Sequence, residues 1–206
     1  MRARLFSLLL FAALLATPPA GATSVIPPSF PELVAEAEAI YRGKVAAVES
    51  RRVARPDGGT VIKTFVTFTV DRVLKGAARG EVTLELLGGT VGEETLHVTG
   101  MPRFSVGQRE FVFVQKNGTQ LCPLVGLMHG RYRVLTDENT PRDYVARDNG
   151  APLTDTAEVE LPMTPLPGQI RTARAAPTAA AALSPTEFEA QVRAEVSSQA
   201  RNPQQR

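Results

Sequence analysis

Hydrophobic and polar positions alternate most cleanly in "FVTFTVDRVLKG", residues 65–76. Val66, Phe68 and Val70 fall on one side, and Thr67, Thr69 and Asp71 on the other. A period of two is that of a strand with one dry face. The alternation breaks at Asp71-Arg72, where a bend is expected. Val73 and Leu74 are then the last residues to reach the core, and Lys75-Gly76 lets the chain leave. Upstream, "IYRGKVAAVESRRV" predicts a long strand, and Gly43 near its start marks a bulge or tight bend. "RPDGG", residues 55–59, is a turn signal, so residues 60–74 return as the second arm of a long coiled hairpin. "EVTLELLGG", residues 81–89, supplies a third strand with Val82, Leu84 and Leu86 on one face. "REFVFVQ" is a fourth, closed by the turn Asn117-Gly118. Between them, "TVGEETLHVTGMPRFSVGQ" reads mostly as loop, with a short strand at residues 96–98. "TQLCPLVGLMHGRYRVL" is an interrupted strand broken at Gly126 and Gly130. "RDYVARDNGAPL" adds a short hairpin with Asn149-Gly150 at its tip.

Helical signals flank this strand-rich region. Ser29 and Glu32 form a capping box before "PELVAEAEA", and Ser184 and Glu187 form another, with Pro185 at the first helical position. Leu183 and Phe188 are spaced as a hydrophobic staple, and Phe188, Val192 and Val196 make a one-sided stripe that needs a surface to rest on. Residues 162–182, rich in Pro, Ala and Thr, read as a linker. The expected fold is all-β with short flanking helices: a small five-stranded antiparallel barrel of the oligonucleotide/oligosaccharide-binding (OB) kind over residues 23–161, then the linker, then a helix and tail over 183–206. A β-sandwich satisfies the same pattern.

Composition changes the picture in two places. Arg2 and Arg4, an apolar run over residues 5–15 and small residues at Ala20 and Ala22 predict a secretory signal peptide over residues 1–22. The run is shorter than the roughly 20 residues a membrane span needs, so the expected mature chain is secreted or periplasmic, without stable membrane insertion. The excess of 23 Lys plus Arg over 21 Asp plus Glu disappears once Arg2 and Arg4 leave, which removes the electrostatic case for a nucleic-acid partner. The single cysteine, Cys122, forms no internal disulfide and reads as a small buried residue in a strand.

Three segments carry a likeness: "AEAIYRGKVAAV" opening the first strand, "FTVDRVLKG" ending the second and "FSVGQREFVFV" entering the fourth. Over residues 30–136 the chain resembles the netrin-like module, the OB barrel of tissue inhibitors of metalloproteinases and their bacterial counterparts. The resemblance implies an OB barrel, and protease regulation by analogy of fold. It does not bring the zinc-chelating terminal cysteine of the animal inhibitors, because the expected mature terminus is Thr23.

Candidate chemistry is sparse. Histidine is limited to His97 and His129, neither in a Glu-x-x-His or His-x-His spacing. A metal site from them with Cys122 and Met128 would need the fold to assemble it. "GGTVGEET" lacks the Lys-Ser/Thr ending of a phosphate loop, no Gly-x-Ser-x-Gly is present, and Glu93-Glu94 has no identifiable acidic partner for glycoside chemistry. No catalytic residues, metal ligands or cofactors are assigned. The expected function is that of a non-enzymatic module binding another exported protein, with regulation of an extracytoplasmic metalloprotease as the alternative and a metal-handling or hydrolytic role third. The expected contact residues are Thr23 and Ser24 at the mature terminus and Thr90, Glu93, Glu94, His97 and Arg103 in the long loop.

Overall fold

The architecture is organised by one long hairpin, β1 (Ala39–Ala54) and β2 (Thr60–Lys75). The computed structural model describes residues 26–77, 80–163 and 177–201; the expected signal peptide lies outside them, with Thr23 and Ser24. Register shifts interrupt the β1–β2 ladder at Ile40/Tyr41, Arg42/Gly43 and Val45/Ala47, and each adds local twist. Asp71 falls at one of them, where Arg42 pairs with Arg72 but Gly43 with Val70, so the break in alternation is a bend. Gly43 is required there, since a Cβ would lie 2.4 Å from the Thr69 carbonyl oxygen.

The remaining strands are β3 (Glu81–Leu87), β4 (Gly89–Val91), β5 (Glu94–Leu96), β6 (Arg109–Val114), β7 (Arg131–Thr136) and β8 (Asp143–Arg147). Six form one antiparallel sheet in the order β3-β2-β1-β6-β7-β8, and β4 and β5 form a separate two-stranded hairpin. The protein is thus all-β with short flanking helices, and its main sheet has six strands where the sequence pattern predicted five. Residues 115–121 cover the outer edge of β3. The Asn117 side chain accepts from Glu85 N (3.0 Å) and donates to the Thr83 carbonyl (2.7 Å), and Leu87 N donates to the Leu121 carbonyl (2.8 Å). A loop therefore occupies the edge of β3 that a closing strand would use.

The curled sheet has a core on each side. On one side, Tyr41, Val45, Val66, Phe68, Leu84, Leu86, Val112, Val114, Cys122 and Leu124 pack together. On the other, Ile40, Leu74, Phe111, Phe113, Tyr132, Val134 and Val145 meet helices α1 (Phe30–Glu36) and α2 (Pro185–Arg201). β6 serves both, so Glu110 through Val114 are all buried. Leu74 and Val73 likewise divide between the two cores. Both predicted capping boxes form, Ser29 with Glu32 and Ser184 with Glu187. Phe188 of α2 is fully buried, its ring centroid 5.0–6.4 Å from those of Phe30, Phe111, Phe113 and Tyr132. The helical stripe thus rests on the same domain. The predicted linker falls partly outside the described residues; its end, residues 177–182, is fastened by Arg142, which donates to the carbonyls of Ala179, Ala180 and Ala182. Lys75 donates to the Val34 and Ala35 carbonyls at the end of α1 (2.7 and 3.1 Å), a stabilising place for a cation.

Candidate functional site

The long connection after β3 is more structured than its composition predicts. Gly88 and Gly89 take φ of 100° and 130°, conformations closed to most side chains, and bring β4 down onto the hairpin. A Cβ on Gly89 would lie 2.3 Å from both Ser50 Oγ and Thr64 Oγ1. Thr64 donates its hydroxyl proton to the Gly88 carbonyl (2.7 Å). Ser50 must then be the donor in its 2.9 Å contact with Thr64. Beyond β4, Gly92-Glu93 makes the two-residue turn into β5, so the predicted short strand occurs two residues early and paired. Arg52 holds the hairpin from below through an exposed ion pair with Glu94 (2.8 Å).

After β5, residues 97–104 fold back over the same surface and enclose a groove of about 360 Å³. Val48, Val66 and Leu86 line it from the sheet, Leu96, Val98, Met101 and Phe104 from the hairpin and loop, and Thr90, Thr95, His97 and Arg103 supply polar groups. Thr90 and Thr95 hydroxyls share a 3.0 Å hydrogen bond. His97 and Arg103 are exposed.

The Phe104 wall is anchored by buried charge. Its ring meets Phe68 edge-on at 5.6 Å and lies 4.3 Å beneath the Arg131 guanidinium. Arg131, itself only 3 % exposed, donates through Nε and Nη2 to Glu110 (3.1 and 2.7 Å), through Nη1 to Asp148 (2.7 Å) and through Nη2 to Gln108 (3.2 Å). Burial raises the Glu110 carboxyl above its ordinary value, against the pull of Arg131. Such a network contributes rigidity at high electrostatic stakes.

Of the residues predicted from sequence, Thr90, His97 and Arg103 line the groove. Glu94 adjoins it but is engaged by Arg52, and Glu93 is exposed at the hairpin turn. The apolar lining was missed, as were Ser50 and Thr64; the twin glycine 88–89 was the one local signal for close backbone approach. His97 and His129 differ sharply. His129 is buried, Nδ1 has no hydrogen-bond partner among the described residues, and burial followed by the nearby Arg147 lowers its pKa to about 4. Cys122 is buried as predicted, although in a bend and not in a strand, and burial raises its thiol to about 11. Such a thiol is a poor nucleophile at neutral pH. Among the described residues no three His, Cys, Asp or Glu side chains are grouped to hold a metal ion, and no helix is long and apolar enough to cross a membrane. Compared with known proteins, the chain matches no family model, and a search of curated proteins gives no significant match.

Proposed function

We propose that this chain is an exported, non-enzymatic binding module that engages another extracytoplasmic protein through the groove between β1–β2 and residues 88–104. The observation that carries this reading is the groove itself: an apolar floor, a polar rim and a wall pinned by the Arg131 network. Concave, mostly apolar sites with a few placed polar groups are the usual form of a binding site. The leader-like sequence at residues 1–22 supports the compartment.

Two exposed groove positions provide the test. Val48→Lys and Arg103→Glu alter the lining and rim without touching either core, so both variants should keep the native urea midpoint. Tagged native protein, exposed to the extracytoplasmic fraction of its own source, should retain a partner that both variants lose. Equal retention by all three would place binding elsewhere. The narrower reading, in which the partner is an exported metalloprotease, rests on the resemblance of the strand ends. It is abandoned if the purified protein at high molar excess leaves co-secreted protease activity unchanged.

A further inference from the structure

Resting on that reading, we infer the form of the partner: an extended strand of a protein chain that adds to the free edge of β1 and carries a carboxylate opposite Arg103. Among the described residues, a lane of the sheet beside the groove is uncovered. β6 bonds to β1 along Ala39–Lys44, and two more backbone bonds follow, Gly107 N to Val45 O and Val45 N to Gln108 O, both 2.8 Å. There the chain turns away, with Gln108 N donating to Ser105 O and Ser105 N to the Gln108 side chain. From residue 46 to residue 54, the β1 backbone hydrogen-bonds among the described residues only to β2. At about 3.3 Å per residue this exposes about 30 Å of strand edge.

The outer edges of the sheet are covered instead. Asn117 and Leu121 occupy that of β3. At β8, Arg147 N donates to Ala151 O, Val145 O accepts from Leu153 N, and Val145 N donates to Leu183 O. Natural sheets cover, shorten or charge an edge to stop unwanted pairing. The lane beside the groove is uncovered, although Glu49, Arg51 and Arg52 charge it, and there Val48 and Ser50 sit in register with Val66 and Thr64.

An added strand would run in line with β6, and its alternate side chains would face the groove beside Val48. That is the strand-addition mode of peptide recognition, with backbone bonds for affinity and side-chain recesses for specificity. Charge fixes the complementary group. Glu94 is taken by Arg52, whereas Arg103 is exposed on the rim with no ionic partner among the described residues, next to exposed His97. The β4–β5 hairpin and residues 97–104 leave a space of about 360 Å³. This suits the side chains of one strand better than the two-stranded hairpin that a second copy would present.

The test uses the full chain, expressed with its own leader, and a phage-displayed random octapeptide library. Selected peptides should alternate apolar residues and include one Asp or Glu. Methylating the backbone amides of alternate residues should weaken binding at least tenfold in one phase and little in the other, because a strand turns every second N–H toward its neighbour. Arg103→Glu should also lose at least tenfold, recovered when the peptide acid is changed to Lys. Tight binders insensitive to methylation phase would overturn strand addition while leaving the binding-module reading intact. Failure to select any binder, together with no captured protein, would overturn both. Micromolar self-association that blocks the peptides would place a second copy in the lane and refute the proposal. Binding seen only after deletion of residues 23–25 would do the same, assigning the lane to the chain's own terminus.

Discussion

Replacing Arg131 with methionine should unseat the wall of the groove, and its cost can be worked from the geometry. Glu110 is fully buried and takes two hydrogen bonds from the guanidinium. Removing the cation strands a carboxylate in the core, which costs about 3–5 kcal/mol. Loss of the contact with the Phe104 ring adds about 1 kcal/mol. The sum approaches the whole stability of a marginal domain, about 5 kcal/mol at the low end. Glu110→Leu in the same background should recover most of it, since an apolar pair replacing a buried ion pair is often neutral or stabilising. The coupling energy of the double-mutant cycle should therefore reach about 2 kcal/mol or more. The deficit also has a pH signature. Burial already raises the folded Glu110 carboxyl, and loss of Arg131 raises it further. A group with a raised folded pKa binds its proton more tightly in the native state, so stability falls as pH rises through the carboxyl range and beyond. Urea titrations of Arg131→Met should thus show a smaller deficit at pH 5 than at pH 8. Single-variant effects that add within about 0.5 kcal/mol, with no dependence on pH, would refute the account.

Two further outcomes concern the rest of the fold. Phe188→Ala empties the centre of an aromatic cluster on the α2 side and should cost about 3–5 kcal/mol in a single cooperative urea transition; a small effect, or separate loss of helical signal, would mean that α2 is only loosely docked. His129 is held near pKa 4 against an ordinary 6.5, so the unfolded chain takes up the proton first. Stability from this site is present above pH 6.5 and is lost as pH falls toward 4, by about 3 kcal/mol. His129→Gln should flatten that part of the stability profile, and an unchanged slope would exclude the histidine as its source.

Much of the local structure could be read directly because its causes are local. The alternation of residues 65–70, the bulge at Gly43 and both capping boxes depend on neighbours within a few positions, and all appear as expected. Leu96 shows the limit: the short strand was anticipated at residues 96–98, yet β5 ends at Leu96 because its pairing with Gly89–Val91 sets the register. Of the candidate contact residues, the loop's polar groups were identifiable by type and exposure. The groove beneath them was not, because Val48, Val66 and Leu86 look like any other core-facing strand positions.

The sequence by itself determined the β-rich class, the long hairpin and the flanking helices, since period and capping act at short range. Tertiary structure alone decided what covers the edge of β3, through Asn117 reaching it across more than thirty positions in the chain. It also decided that Arg131 meets Glu110, Asp148 and Phe104, and that β6 leaves β1 after Val45. Those outcomes depend on which distant backbone groups and charges meet once the sheet curls, and no periodicity encodes such meetings. The same curl turns an ordinary loop and an ordinary strand edge into one groove.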